Sequence, residues 1–516
     1  MNRRTGTLLA TILGSGAVFL DSTVVNVALP RIGQDLPSAA IGILEGQSYV
    51  YNGYLLSLSA MLILAGALAD AYGRRRVFVL GLVGFGVASF LCGIAPSLEW
   101  LIAFRVLQGA AGALLVPGSL AILRAAFDGD ALGRVLGTWT GASGAAMIVG
   151  PLIGGVLVQT VSWRAVFFIN LPIIALALWA TRASVVESRD EAAGTQFDRG
   201  GSVLAAVAVG GLSFGAIYGG QHTWAGWLGQ TSIAAGAVAS AWLIVHLARG
   251  SAPLVPLGLF RVRNFAMMNL ETFLVYGALY VYLYLLAIFT QGTLGYSAVA
   301  AGMLSIPGSL LLMLLSPAIG GIAARHGPRR FMAAGPAIMA AGIAWLVRLP
   351  SDSPAWVLEP GAPASWVPPV GVLVDFLPAM LLFGVGLSIL VAPLTTALMT
   401  SLPEARAGIA SAVNNAISRV GPQLAGAVMF VLVTMVFFSA LAGHAPGLDT
   451  SSAAVRADYA PFNPPPASAA PAVAEAARES STEAFRFAMA VAAGLLVAGA
   501  VVGGVGIRDP QRGRVS

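Results

Sequence analysis

Residues 66–81 read Gly66-Ala-Leu-Ala-Asp70-Ala-Tyr-Gly73-Arg74-Arg75-Arg76-Val-Phe-Val-Leu-Gly81. They lie between two long apolar runs, one ending near Ala69 and the other beginning near Val77. A carboxylate, a glycine and three consecutive arginines thus fall in one short turn. Arginine beside an apolar segment resists translocation and stays on the inner face of a membrane. The stretch predicts two membrane helices joined by a cytoplasmic turn. Topology alone would account for the arginines, but Asp70 and the glycines need a further reason.

The remainder of the chain agrees. Of its 516 residues, 57% are hydrophobic and 10% charged, where a soluble domain carries roughly 25% charged residues. This is an integral membrane protein with little soluble mass. The single cysteine, Cys92, lies in an apolar run, which excludes an intramolecular disulfide and a cysteine-based metal site. All 28 basic residues are arginine, so Schiff-base lysine chemistry and the usual phosphate-loop lysine are absent. His222, His246, His326 and His444 fall at loops or span ends without ligand spacing, so no metal is expected. The net charge of +6 is spread over short loops between spans and does not indicate a nucleic-acid partner. Neither a cofactor nor enzymatic activity is expected.

A membrane span needs about 20 apolar residues. The candidates are 7–29, 47–69, 77–95, 99–123, 134–158, 164–182, 201–220, 230–248, 265–290, 298–322, 331–349, 371–393, 408–440 and 485–506. The basic start, Met1–Arg4, leads into a run too long for a signal-peptide core and without a good cleavage site, so it reads as a retained first helix. Fourteen spans put both termini on one side. With the N-terminus inside, twenty arginines fall on the inner side and six on the outer, with Arg105 and Arg419 inside spans. The segment 442–484 is then the longest outer loop, and its Pro/Ala-rich part, Pro461–Pro471, is expected to be partly disordered. In the shorter loop 349–369, Trp356 and Trp366 are expected to anchor at the membrane interface.

The chain repeats itself. Gly320–Arg330 echoes Gly66–Arg76 at an offset of 254 residues, and Val420-Gly421-Pro422 echoes Val149-Gly150-Pro151. The echoes relate the first six spans to the last six, which fits carriers built from two parallel repeats. The domain reading is therefore 1–183 for one six-helix bundle, 184–263 for two additional helices, and 264–516 for the second bundle. Ala324 stands where Asp70 does, so a charge lock at these turns would be asymmetric.

Gly66-x-x-x-Asp70-x-x-Gly73-Arg74-Arg75-Arg76 resembles the loop signature between helices 2 and 3 of the major facilitator superfamily. That resemblance implies an all-α membrane fold of two six-helix bundles, here with two helices more. It also implies a gate at Gly66, Asp70, Gly73, Arg74 and Arg75, with Asp70 and Arg74 in a lock between the halves of the outward-facing carrier. Span 5 carries Gly141, Gly144, Gly150, Pro151, Gly154 and Gly155. By themselves these glycines fit close helix packing, but the pattern resembles the antiporter signature of proton-coupled exporters. Two further stretches resemble the fourteen-helix drug:proton antiporter branch. They are Leu20-Asp21-Ser22-Thr23-Val24-Val25-Asn26-Val27-Ala28-Leu29-Pro30 and Trp163-Arg164-x-x-Phe167-Phe168-Ile169-Asn170-x-Pro172-Ile173.

Charges within spans are costly and mark function. Asp21 lies ~21 Å in from the inner end of span 1, and Arg105 lies ~9 Å below the outer end of span 4. Across a core of about 30 Å the two levels coincide, so they are expected to pair or share a proton. The alternative for Asp21 is a polar plug bonded to a neighbouring helix. Candidates for a substrate cavity are Asn26, Gln108, Glu271, Tyr276, Tyr280, Asn414, Asn415 and Arg419, although Glu271 also fits a helix-end acid in contact with water. The sequence reading is a monomeric, proton-driven exporter of hydrophobic or cationic small molecules in the bacterial cytoplasmic membrane. No ATP-binding loop is present, so the energy would come from a gradient. A carrier dedicated to one endogenous product, or a sensor that kept the fold without transport, are the alternatives.

Overall fold

A computed structural model describes residues 2–37, 42–127, 129–188, 198–221, 226–250, 253, 255, 257–359, 361–400 and 407–509. Some helical side chains within these ranges are outside the description, those of residues 66, 70, 141 and 415 among them. The helices of the first half are α1 (Arg3–Asp35), α2 (Ile43–Tyr72), α3 (Arg74–Gly93), α4 (Leu98–Ala113), α5 (Leu115–Ala126), α6 (Gly129–Thr160), α7 (Ala165–Phe168) and α8 (Asn170–Ser184). A hairpin follows, α9 (Arg199–Gln221) and α10 (Trp227–Arg249). The second half holds α11 (Arg263–Gly292), α12 (Ala298–Met303), α13 (Ile306–His326), α14 (Arg329–Trp345), α15 (Val370–Thr400), α16 (Ala407–His444), α17 (Ala453–Asp458) and α18 (Pro471–Val501). Every apolar segment read from the sequence falls on helix, and the described residues contain no strand. Eleven helices among the described residues are long and apolar enough to cross a membrane. Fourteen crossings stays an expectation of the sequence.

In the first half α1 is the centre, packed by α2, α5, α6 and α8. In the second, α11 packs on α16 and α18, and α14 lies between α15 and α18. The hairpin is tied at one end by His246 Nε2 and Asp198 Oδ1, 2.6 Å apart. Its helix α9 lies against α2 of the first half and α16 of the second, with Phe214 stacked on Tyr49 at 5.4 Å.

The repeated turns fold alike. Gly73 and Gly327 each end one helix just before the next with positive φ, 108° and 85°. A side chain there would be strained, and glycine has none to clash. Three arginines at the N-terminus of α3 face the positive end of a helix dipole. Glu187, from the segment after α8, compensates by accepting the N–H groups of Arg75 (3.0 Å) and Arg76 (3.2 Å). In the second half Asp509, after α18, accepts the N–H of Arg329 at 3.1 Å. The echo of the two turns thus extends to the carboxylates that cap them.

The outer-loop expectation is corrected. Helix α18 begins at Pro471, well before the expected 485, and the stretch before it is pinned. Phe462 is fully buried in an edge-on contact with Phe289 and Phe485, whose rings stack on one another at 4.0 Å. Asn463 accepts from Gln47 Nε2 at 3.0 Å. One buried aromatic anchors a segment whose composition reads as disordered, because its partners lie far away in sequence. Trp356 is likewise buried, donating to the Ser365 carbonyl at 2.9 Å, whereas Trp366 is exposed.

Candidate functional site

Asp21 faces the interior of the first half from the middle of α1. Arg105 Nη1 lies 2.5 Å from Asp21 Oδ2, and neither side chain has any exposure. The depth matching read from the sequence is thus realised as a direct contact. Gln108, one turn further along α4, donates from Nε2 to Asp21 Oδ1 at 2.9 Å and accepts from Arg105 Nη1 at 2.7 Å. Asn170, at the start of α8, donates to the same Oδ1 at 2.9 Å. Ser89 Oγ on α3 accepts from both amides and donates to the Phe167 carbonyl at 2.9 Å. Arg105 Nε donates to the Val50 carbonyl at 3.1 Å, and the guanidinium lies 4.0 Å from the Tyr54 ring centre on α2. Desolvating an ion pair is favourable only when its remaining lone pairs and protons find partners; the amides supply them to Asp21 Oδ1 and to Arg105 Nη1, whereas the buried Arg105 Nη2 has none among the described residues. The network joins α1, α2, α3, α4 and α8.

The glycines of α6 flank it. A Cβ at Gly150 or Gly154 would strike α1 at Leu20–Val24, the turns that carry Asp21, and one at Gly155 would strike α12 at Ala298 and Val299. Pro151 in turn faces Gly302 of α12. Helix α6 therefore touches the Asp21 segment with one face and the second half of the molecule with the next. The same seam includes Gln159, whose amide donates to the Leu358 carbonyl. Gly141 lies on the same helix, its surroundings outside the description.

A pocket opens where α2, α11 and α16 meet, lined by Ser48, Tyr51, Asn52, Tyr280, Tyr284 and Met429 among others. Tyr51 and Tyr284 stack at 5.2 Å, with both hydroxyls buried, that of Tyr51 beside Asn26 and that of Tyr284 beside Ser48. Of the residues expected to line a cavity, Tyr280 does so. Tyr276 lies one turn below it on α11, and Arg419 one turn below Pro422 on α16. Gln108 belongs to the ion-pair network and is fully buried. Asn414 bridges helices, donating to Thr272 Oγ1 at 2.8 Å and Asn269 Oδ1 at 3.2 Å. Asn415 has no described side chain.

Glu271 is a clearer correction. It touches neither the pocket nor water: it is fully buried and turned toward Gly499 and Gly503. Neither of its oxygens has a hydrogen-bond partner. At the gate turn, the contacts of Arg75 and Arg76 come from their own half, through Glu187 and the Arg182 carbonyl. The surroundings of Gly66 and the side chain of Asp70 lie outside the description. Ser89, Asn170, Tyr51 and Tyr54 were not singled out by the sequence, although Asn170 stands inside the quoted 163–173 stretch. Tyr51 and Tyr54 stand in a polar-aromatic run, 47–54, that opens span 2.

Two helical bundles, the first holding a buried ion pair, with a pocket on their shared seam, make a multi-pass membrane transporter. The sequence profile of the Major Facilitator Superfamily matches residues 11–426. The chain belongs to that superfamily. It is 33% identical over 431 residues to the tetracenomycin C resistance and export protein of Streptomyces glaucescens, covering 83% of this chain and 75% of that one. It is 34% identical over 424 residues to the multidrug resistance protein Stp of Mycobacterium tuberculosis, covering 82% and 74%. It is 30% identical over 503 residues to the multidrug efflux pump LfrA of Mycolicibacterium smegmatis, covering 95% and 94%. Among solved structures, a bacterial homologue of the human lysosomal transporter Spinster, inward-facing and unoccupied, aligns with a TM-score of 0.63. Its sequence identity is 16%, and the alignment covers 98% of this chain and 97% of that one. At that identity the likeness concerns the fold.

Proposed function

We propose that this protein exports hydrophobic, drug-like small molecules across the bacterial cytoplasmic membrane by alternating access, driven by protons. The observation that carries the reading is the Asp21–Arg105 pair, buried beside the helix that also touches the opposite half. A carboxylate held by one cation and two amides changes its proton affinity when any of them moves away. Helix α6 offers the means, because movement of α12 against Gly155 bears on the segment that carries Asp21. Binding of substrate and release of a proton are then linked and reciprocal. The resistance and efflux names of the relatives support the direction of transport. The reading keeps both termini and the Arg74–Arg76 turn cytoplasmic, with fourteen crossings, two repeated bundles and a monomeric carrier that needs no cofactor.

Asp21→Asn tests it. In energised vesicles the variant is expected to insert normally and lose proton-dependent export, while Asp21→Glu keeps part of it. Added substrate should release protons from the wild type in weak buffer and not from Asp21→Asn. Pumping by the Asn variant with unchanged pH dependence would refute the assignment. A carrier dedicated to one product is the second reading, favoured by the relative named for tetracenomycin C alone.

A further inference from the structure

We propose that the pocket between α2, α11 and α16 takes an aromatic compound bearing an acidic oxygen, with Arg419 as the group that holds that oxygen. The inference rests on the export reading and specifies its substrate class. Pro422, Gly426 and Met429 of α16 line the pocket, and Tyr280 and Tyr284 line it from α11. Arg419 and Tyr276 continue those two helix faces by one turn toward the arginine-rich end, since residues three or four apart share a face. From Tyr284 to Tyr276 the site runs ~12 Å along the helix axis, which suits a polycyclic body. Arg419 is half-buried and lies within electrostatic reach of Tyr54, Tyr276 and Tyr280. Among the described residues it has neither a hydrogen bond nor an ion pair. A guanidinium in such a place is costly unless a counter-charge arrives.

No described acid meets it. The Asp21 carboxylate is taken by Arg105, Gln108 and Asn170. Glu271, two turns away on α11, points to the opposite side, against Gly499 and Gly503. The pocket thus offers the Tyr51–Tyr284 stack as an aromatic wall and the hydroxyls of those two tyrosines, and Arg419 supplies a cation one turn beyond its lining. A phenolate, carboxylate or enolised ketone on an aromatic ring satisfies all three. A cationic compound would face like charge, which excludes it as effectively as a clash. This narrows the sequence expectation of hydrophobic or cationic cargo to aromatic acids and phenols.

The test is binding by fluorescence anisotropy to the full-length protein in detergent, with two xanthene dyes of similar shape, fluorescein and rhodamine 6G. The wild type is expected to bind the anionic dye about tenfold or more tightly than the cationic one, the worth of one hydrogen-bonded charge. Arg419→Gln should lose that margin while binding of the cationic dye holds or improves, and Arg419→Lys should restore much of it. Tighter binding of the cationic dye, equal losses for both dyes in Arg419→Gln, or no binding of either dye to the wild type would overturn the proposal. Dye binding with the expected charge preference, but without export in energised vesicles, would instead refute the export reading and leave the Arg419 assignment standing.

Discussion

The ring of Tyr54 lies 4.0 Å from the Arg105 guanidinium, while its own hydroxyl donates to the Val18 carbonyl at 3.1 Å. One side chain of α2 therefore holds both the cation that pairs with Asp21 and the helix that carries Asp21. Arg105 also takes the Val50 carbonyl of α2. The pair cannot separate without disturbing three helices. On the proposed proton coupling, a local proton-binding event would thereby shift the bundle.

Cutting the pair from one side should cost far more than removing both charges. Arg105→Gln leaves Asp21 buried without its cation, and breaking a buried pair in this way costs about 3–5 kcal/mol. The double variant Asp21→Asn with Arg105→Gln replaces both charges by neutral amides and should recover most of that loss. Thermal unfolding in detergent reads the difference. If the double variant melts no higher than Arg105→Gln, the two groups are not coupled.

At the gate turn the backbone and the charge can be tested apart. Gly73→Ala forces a side chain into positive φ against the Glu187 carboxylate, a strain of roughly 1–3 kcal/mol. Glu187→Gln keeps the shape and weakens only the cap. Both variants should lower the melting temperature, the first by more. Asp70→Asn should leave stability near that of the wild type and slow transport strongly, whereas Ala324→Asp should have little effect. Normal transport rates in Asp70→Asn would dispose of the lock.

Depth along a helix was legible in the sequence, and azimuth was not. Counting 1.5 Å per residue placed Asp21 and Arg105 at one level, and their charges left pairing as the natural outcome. The same count put Glu271 well inside α11 but could not say that it faces α18 rather than the pocket. Ser89 and Asn170 carry no charge, so nothing in a single sequence marks Asn170 as a partner of Asp21 or Ser89 as the hydroxyl that accepts from the Gln108 and Asn170 amides. Gln108 was misplaced for the same reason: a polar residue in a span faces either a cavity or a buried partner, and only packing decides. Phe462 escaped because its contacts with Phe289 and Phe485 follow from chain topology, not from the proline-rich composition around it.

The seam between halves depends on two close approaches, Gly155 to Ala298 and Gly302 to Pro151. Gly302→Leu puts a branched side chain against the Pro151 carbonyl, where no flexible neighbour can yield. The closed seam should then be disfavoured and transport slowed. With Cys92 replaced and a single cysteine at Asn52, an impermeant thiol reagent applied to whole cells should label the Gly302→Leu background faster than the parent. Equal labelling would show that this contact does not control access to the pocket.

Phe462 gives a prediction about the second half alone. Truncating a fully buried phenylalanine typically costs 3–5 kcal/mol, and here it also removes the contact holding the segment before α18 on Phe289 and Phe485. Phe462→Ala should lower the melting temperature and expose 445–470 to proteolysis, whereas Phe462→Leu should retain most of both. Protease resistance in the Ala variant would show that the segment is held elsewhere.

Glu271 separates structural burial from proton coupling. Its oxygens have no partner. Two cations that reach the π-helical turn beside it are engaged with backbone: Arg263 donates to the carbonyls of Gly506 and Val505, and Arg329 to that of Gly504. Those carbonyls end the π-helical turn Val502–Gly506, which packs on the same side as Glu271. An ionised carboxylate there would lack both water and a counter-charge, and such isolation is costly. A neutral amide of the same shape meets no such penalty. Glu271→Gln should therefore insert, fold and melt as the wild type does, or slightly higher. Glu271→Lys should fail to fold, because it places a cation in the same enclosed space. For function, the pH dependence of export should survive in Glu271→Gln and vanish in Asp21→Asn. If the two variants exchange these behaviours, the proton travels through the second half, and the network around Asp21 is a structural clamp.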